Sequence, residues 1–199
     1  MVQLRPYRTS DLDALYEICL VTADSGRDAS PQHNDRKIIG HIYAAPYGVL
    51  EPHNVFVAED ELGVAGYIVG TADTYAFSAK LESQWWPELR QYYSSVAPTA
   101  LTDGDRRRLD AIINPSDDPR DIVDAYPAHI HMNLLPRLRG QGVGTGLLNL
   151  WTDQARAAGV TGIHLGANPG NSGGIAFWTR SGFEPLLTNA RTAWFGMTL

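Results

Sequence analysis

Four glycines, Gly140, Gly142, Gly144 and Gly146, alternate along "LRGQGVGTG" directly behind Arg139. Glycine loses more backbone freedom on folding than any other residue, so such a cluster weakens a chain unless something must come close to the backbone. The residues before it, "AHIHMNLLP", alternate as a strand does. Ile130, Met132 and Leu134 fall on one face, and His129, His131 and Asn133 on the other. The residues after it, "TGLLNLWTDQARAAG", carry Leu147, Leu148, Trp151 and Ala155 at helical spacing and end at Gly159. The order strand, glycine loop, helix leaves the N–H groups of a first helical turn without partners. The helix dipole adds about half a positive charge there. The chemistry this predicts is anion binding, with a phosphate seated on the amides of residues 140–145.

Two common phosphate motifs fail. The dinucleotide pattern G-x-G-x-x-G ends on Thr145 when started at Gly140, and on Leu147 when started at Gly142. A P-loop needs a lysine, and none follows Lys80. A nucleotide-binding enzyme is therefore disfavoured. The pattern that fits is Arg139-x-x-Gly142-x-Gly144, which resembles the pyrophosphate loop of the GNAT family of N-acetyltransferases, holders of acetyl-CoA. "LLPRLRGQGVGTGLL" keeps that family's order of strand, proline, loop and helix. Further on, "NSGGIAFWTRSGF" is similar to the family's N-x-x-A-x-x-F-Y-x-x-x-G-F segment. A narrower likeness exists: "AGYIVGTADTYAFSAKLESQWWPELRQYY" is similar to the same region of the acetyltransferase-like C-terminal domain of O-GlcNAcase. The phosphate loop is degenerate in animal members of that group and intact here. No glycosidase domain accompanies it, which implies a free-standing relative.

The resemblance implies roles residue by residue. The backbone of Leu134, Leu135 and Pro136 lies along the pantetheine arm, in a gap between this strand and its parallel neighbour "GIHLGA". An N–H near Leu134 then meets the thioester oxygen, a preorganised donor worth on the order of 3 kcal/mol to the barrier. Arg139, Gly140, Gln141, Gly142, Val143, Gly144 and Thr145 hold the pyrophosphate. Asn171 and, more weakly, Asn168 sit near the arm, and Asn171 is equally suited to cap a helix. Gly174 replaces the family's small alanine, consistent with close approach of the coenzyme, and Phe177 and Trp178 pack on the pantetheine. Trp178 also stands where many members have a tyrosine that protonates the departing thiolate. An indole N–H donates a hydrogen bond but is no such acid. A thiolate with an ordinary pKa of about 8.5 leaves tolerably without one.

The candidate catalytic residues are His131, Asn133 and Trp178. His131 has the ordinary pKa of a general base, and a hydrogen-bonded structural histidine is the competing reading. Asn133 holds a position where an acid would be useful, but an amide is no base. Asp73 is a further candidate. His129 and His131 lack a third ligand at metal-site spacing, so no metal is expected.

The totals suit one domain: 199 residues, 44% hydrophobic and 19% charged. A net charge of −6 argues against nucleic-acid binding. Cys19 is the single cysteine, so no internal disulfide forms and a cytoplasmic location is expected. Neither a signal peptide nor a run of 18 apolar residues is visible, so no membrane is expected. "VQLRPY" reads as a strand, followed by a helix capped at Ser10 with Asp13 three residues on. "DRKIIGHIYAA" reads as a helix ending near Pro46, and "NVFVAED" and "GVAGYIVGTAD" as paired strands. Residues 74–126 read as helical: two helices broken at Pro87, one capped by Thr102, and a short last piece. "TGIHLGA" is a buried strand, "NSGGIAFWTRSGF" a helix and its exit, and "ARTAWFGMTL" the closing strand. Trp85, Trp86, Tyr92 and Tyr93 either wall an acceptor groove or bury the helical stretch against the body. Asp24 and Asp28 either attract an amine or belong to an ordinary polar loop, and "DGDRRRLD" reads as a solvated helix face.

The expected fold is a single α/β GNAT domain over residues 1–199, with a mixed, mostly antiparallel central sheet flanked by helices and a helical insertion at 74–126. The expected function is acetyl transfer from acetyl-CoA to an unidentified amine acceptor, a small molecule or a protein lysine. The alternative is a catalytically weak or inactive acetyl-CoA-binding module. A homodimer is compatible with the sequence.

Overall fold

A computed structural model describes residues 1–199. In chain order the elements are β1 (Gln3–Pro6), α1 (Leu12–Leu20), α2 (Gly40–Tyr43), α3 (Ala45–Leu50), β2 (Val55–Asp60) and β3 (Gly63–Thr71). Four helices follow: α4 (Thr74–Lys80), α5 (Trp86–Ser94), α6 (Asp103–Ile113) and α7 (Arg120–Ala125). The rest is β4 (Ala128–Leu134), α8 (Val143–Ala157), β5 (Gly162–Ala167), α9 (Ser172–Arg180), β6 (Glu184–Thr188) and β7 (Ala193–Thr198). The strands form one sheet in the order β1-β2-β3-β4-β5-β7-β6. Every neighbouring pair is antiparallel except β4 with β5.

Strand alternation sorts the core into two layers. Val55, Val57, Tyr67 and Val69 face α1, α3 and the helical stretch, where Phe77, Trp86, Tyr93 and Ile112 complete the packing. Phe56, Ala58, Ile68 and Ile130 face the other way, onto Leu147, Leu148 and Trp151 of α8 and Trp178 of α9. Trp151 also donates its indole N–H to Asn54 O at 3.0 Å, which fixes α8 across β2.

Several boundaries differ from the sequence reading, each for a local reason. The first helix proper begins at Leu12, after a single 3-10 turn at Thr9–Asp11. Asp11, not Asp13, supplies the anchoring carboxylate. It accepts the Arg8 N–H at 2.8 Å and receives two bonds from the Arg5 guanidinium at 2.7 and 2.9 Å. Pro46 starts α3 rather than ending its predecessor, because proline suits the first turn of a helix. At Pro87 the chain widens into one π turn, Leu81–Trp85, and continues directly as α5. That wider turn makes room for the proline ring, which a regular α turn would clash with. β6 escaped the pattern because all five of its residues are exposed, so it has no inward-facing alternation to detect. "DGDRRRLD" is a solvated face only in part: Asp103, Arg106, Arg107 and Asp110 are exposed, but Asp105 and Arg108 are not. Asp105 is fully buried and binds His33 Nδ1 at 2.9 Å and the Asn34 N–H at 3.0 Å, tying α6 to the loop before α2.

Arg5 and Asp11 are both almost fully buried, and the same guanidinium reaches Glu59 at 2.7 Å. Burial alone would raise the Asp11 pKa, but the bonds from Arg5 and Arg8 lower it. Removing one partner leaves the other charge buried and unpaired. Asp11→Ala should therefore cost about 3–5 kcal/mol of folding stability, read from the urea midpoint at pH 7; a loss below about 1 kcal/mol would show the pair to be no anchor. Burial also pushes His41 down to about 4 and His129 to about 3, so both are neutral in the fold. In the unfolded chain they take a proton near their ordinary 6.5. The unfolded state then binds more protons, and stability should fall as pH drops from 6.5 towards 4. Urea midpoints measured from pH 8 to 4 should be flat above 7 and decline below 6.5. A flat profile down to pH 5 would contradict neutral burial of these rings.

Candidate functional site

The glycine loop runs from the short turn Pro136–Leu138 into α8. Gly140 and Gly142 have φ of +74° and +76°, values open to glycine and costly for side-chain-bearing residues. Left-handed residues alternating with right-handed ones turn successive N–H groups to one side, as an anion nest requires. The N–H groups of residues 140–145 donate to no acceptor in the protein; the first helical bond here is from Gly146 N to Gly142 O. Gly144 and Gly146 are small for another reason. A Cβ on Gly144 would sit 3.2 Å from the Phe177 ring, and one on Gly146 would sit 2.6 Å from Leu4. Two of the four glycines thus shape the loop and two let α8 pack closely. Val143 is buried beneath the loop, Thr145 is exposed, and Gln141 donates to Arg137 O at 2.6 Å. The Arg139 guanidinium bends back on its own strand, binding Leu134 O at 3.1 and 3.2 Å and Gly26 O at 2.7 Å. It so joins the glycine loop to the loop after α1, with donors left over on Nη1.

β4 pairs with β3 along its whole length but with β5 only at Ala128↔Ile163 and His129↔His164. Beyond that point the two strands part. Leu135 N donates to Ala65 O, so by the two-residue period of an antiparallel ladder the backbone groups of Asn133 and His131 also turn to β3. Those of Met132 and Leu134 turn the other way, into the gap. Asn171 and Asn168 stand at the end of β5. Asn171 caps α9 by accepting the Gly174 N–H at 3.0 Å, and Asn168 accepts the Gly170 N–H at 2.8 Å. A Cβ on Gly174 would lie 2.6 Å from the Asn171 amide, so the bare position makes room for that cap. Phe177 lies over Gly144 and edge-on to Trp178, and Trp178 is buried against Phe183.

The gap opens into a cavity of about 530 Å³ whose far wall is built by α2, α3, α4, α6 and the loop after α1. The three β4 residues that point into this side behave differently. His129 Nε2 accepts from Tyr47 at 2.7 Å and its Nδ1 meets Thr74 Oγ1 at 2.8 Å, so both nitrogens are spent on structure. Asn133 accepts from the Tyr67 hydroxyl at 3.0 Å and donates to Thr22 Oγ1 at 2.6 Å, which binds β3, β4 and α1 together. His131 makes no hydrogen bond to the protein. Its ring rests edge-on against Tyr43 and Tyr47, each 5.7 Å away between ring centres. Burial pushes it down to about 4, leaving a neutral imidazole with an open acceptor in the cavity.

Sequence reasoning did not find Asp118, His164, Tyr43 or Arg108, all of which line the cavity. Burial would raise the Asp118 carboxyl, but the His164 ring nitrogen Nε2 at 3.4 Å and the bond from the Trp194 indole N–H at 2.8 Å hold it at about 2. The other His164 nitrogen donates to Tyr126 O at 2.6 Å. A histidine inside the apolar strand "TGIHLGA" was a readable signal; Asp118 lies in an irregular loop and left none. Trp85, Trp86, Tyr92 and Tyr93 do not wall the cavity, although Tyr75 and Phe77 of the same helical stretch do. Trp86 and Tyr93 are core, Trp85 donates to His41 O, and Tyr92 is exposed. Asp24 pairs with Arg27, Asp28 holds the Ser30 N–H, and Asp73 caps α4.

Comparisons with known proteins agree with this architecture. The sequence model of the Acetyltransferase (GNAT) family matches residues 111–183. The crystal structure of SsHAT is 32% identical, covers 99% of this chain and 98% of its own, and superposes with a TM-score of 0.85. The PaiA N-acetyltransferase of Thermoplasma acidophilum, solved in complex with coenzyme A, shares the fold at 12% identity, with a TM-score of 0.61 over 100% of this chain and 99% of its own. Protein O-GlcNAcase of Rattus norvegicus and of Mus musculus are each 23% identical over 180 residues, 90% of this chain. The chain spans about a fifth of the length of those curated relatives, 20% in each case. A parted central sheet, a glycine loop at a helix mouth and similarity to SsHAT along nearly the whole chain lead to one assignment: the chain belongs to the GNAT family of acetyltransferases and has O-GlcNAcase-like similarity.

Proposed function

We propose that the chain transfers an acetyl group from acetyl-CoA to an amine. The observation that carries this reading is the parting of β4 from β5 after His129 and His164, directly below six unpartnered amides. Those amides, on a backbone bent by Gly140 and Gly142, fit a pyrophosphate in charge and in clearance, since nothing lies within 4 Å of a Cβ built at either glycine. Leu134, Leu135 and Pro136 line the route from that seat into the gap. Free groups on the edge of β4 suit the amides of a pantetheine arm. The N–H of Met132 or Leu134 is aimed where a thioester oxygen would gain charge as the amine nitrogen attacks its carbon, a donor worth about 3 kcal/mol in the barrier.

His131 is the base in this reading. A pKa of about 4 makes it neutral throughout the physiological range and ready to accept. It is a weak base for a free ammonium ion, but the attacking nitrogen becomes far more acidic once its bond to carbon forms. The proton passes from that nitrogen to the imidazole while the carbon–sulfur bond breaks. Trp178 offers no acid, so the thiolate leaves unprotonated and is protonated by water. Asn133 takes no part in proton transfer and positions β4 against α1. A module that binds acetyl-CoA without transferring its acetyl group is the competing reading, favoured by the absence of a phenol at Trp178.

Calorimetry should register acetyl-CoA binding to the purified chain. Gly142→Asp should weaken it roughly a hundred-fold or more by placing a carboxylate on the phosphate seat. Open space around that position and aspartate's tolerance of left-handed backbone keep the variant folded. Unchanged affinity would remove the loop from the site. With a panel of amines, free-thiol release should depend on acceptor, and His131→Ala should lower kcat roughly 10²- to 10⁴-fold with coenzyme affinity intact. Binding with no release across the panel would favour the module.

A further inference from the structure

Arg108 lies on α6, in the stretch that reads from sequence as solvated, yet its side chain is half-buried and lines the cavity. Its guanidinium carbon lies 5.6 Å from the centre of the Tyr43 ring, and Nη1 donates weakly to the Tyr43 hydroxyl at 3.3 Å. No carboxylate of the protein is within ion-pair distance of it. The groups around it supply no negative charge: burial holds the Cys19 thiol up at about 11, His131 is neutral, and Tyr47 is a buried phenol. Of the two aspartates at the cavity, Asp118 is taken up by Trp194 and His164, and Asp117 is exposed. The other cation facing the cavity, Arg191, is exposed in the turn between β6 and β7. A partly desolvated guanidinium without an anion is costly unless the anion arrives with a ligand.

We propose that Arg108 binds a carboxylate of the acceptor, so that the acceptor is a small primary amine carrying a carboxylate a few bonds from its nitrogen, the chemistry of a free amino acid. The inference rests on the acetyl-transfer reading and deepens it. The planar fork of arginine matches a carboxylate, and stacking on Tyr43 fixes its orientation. Tyr43 also sets the spacing. The same ring lies 5.6 Å from the guanidinium and 5.7 Å from the His131 ring centre. A ligand that meets both groups spans less than those two distances laid end to end. That interval suits a carboxylate and an amine on one short carbon skeleton. The lysine side chain of a protein carries no carboxylate so near its ammonium group. A cavity of about 530 Å³ also suits a small molecule. Arg108 is a specificity-determining residue here; it does not touch the reacting atoms.

The test is calorimetric titration of the full chain, saturated with coenzyme A, with each of the twenty amino acids and their carboxamides, alongside acetyl transfer to the same compounds. The expected result is at least one amino acid that binds, with its carboxamide roughly ten-fold weaker or worse. Arg108→Gln should abolish that preference, mainly by raising KM, and leave acetyl-CoA affinity and the thermal midpoint unchanged. Arg108→Lys, which keeps the charge and loses the fork, should retain part of it. Equal affinity for acid and carboxamide, no binding by any amino acid, transfer confined to lysine peptides, or a preference that survives Arg108→Gln would each overturn the proposal. Failure of acetyl-CoA itself to bind would instead sink the acetyl-transfer reading. In that case N-acetylated amino acids titrated into the chain alone still report whether Arg108 holds a carboxylate.

Discussion

After two parallel paired positions, Ala128 with Ile163 and His129 with His164, β4 turns away from β5 while staying bonded to β3. A sheet interior is normally the most thoroughly hydrogen-bonded part of a domain, because an unpaired backbone group away from water is costly. Here the Met132 and Leu134 backbones are left open at the centre of a seven-stranded sheet. The cost is tolerable because the gap is a solvent-reaching cavity and not a dry core, and because Arg139 satisfies the Leu134 carbonyl. The glycine loop begins directly beyond the parted end of β4, so one chain segment supplies both the open strand edge and the open helix mouth.

What keeps the gap in shape is a set of polar ties on the other face of β4. Tyr67, Asn133 and Thr22 link two strands to α1, and Tyr47, His129 and Thr74 link β4 to α3 and α4. In both sets each polar side chain has at least one hydrogen-bond partner, as a buried polar network needs. His131 lies between them in sequence and is left out of both. Of three polar residues on one strand face, two are occupied by structural bonds and one, His131, is left open towards the cavity.

The helices of residues 74–126 cover that face and complete the cavity. Phe77 packs on Tyr47, Asp118 reaches back to His164 and Trp194, and Arg108 comes over Tyr43. Asp105, itself fully buried in the first turn of α6, anchors the arrangement by capping its own helix and holding His33 and Asn34. Of the charges in "DGDRRRLD", Asp105 is therefore a structural anchor and Arg108 a cavity wall, while Asp103, Arg106, Arg107 and Asp110 face solvent. Helical periodicity alone assigns such a segment to solvent, since it has no means of showing what packs on the polar side.

Local physics made much of the molecule legible from sequence. The alternation in "AHIHMNLLP", the glycine run and the apolar stripe of the following helix fixed a strand, a glycine-bent turn with open amides and a helix in order, because each depends on neighbours a few residues away. The family resemblance supplied the sheet around them. Which of the polar residues is free for chemistry was decided only by tertiary contacts. Asn133 meets Tyr67 across 66 positions and Thr22 across 111, and no local pattern records such partners. The same holds for Gly146, whose missing side chain answers to Leu4 at the far end of the chain, and for the exposed edge strand β6, which lacks any inward face to betray it. Sequence alone determined where a backbone with unpartnered amides would form, since that is a property of glycines and a helix start; only the folded chain decided what faces the cavity beside it, since that depends on long-range packing.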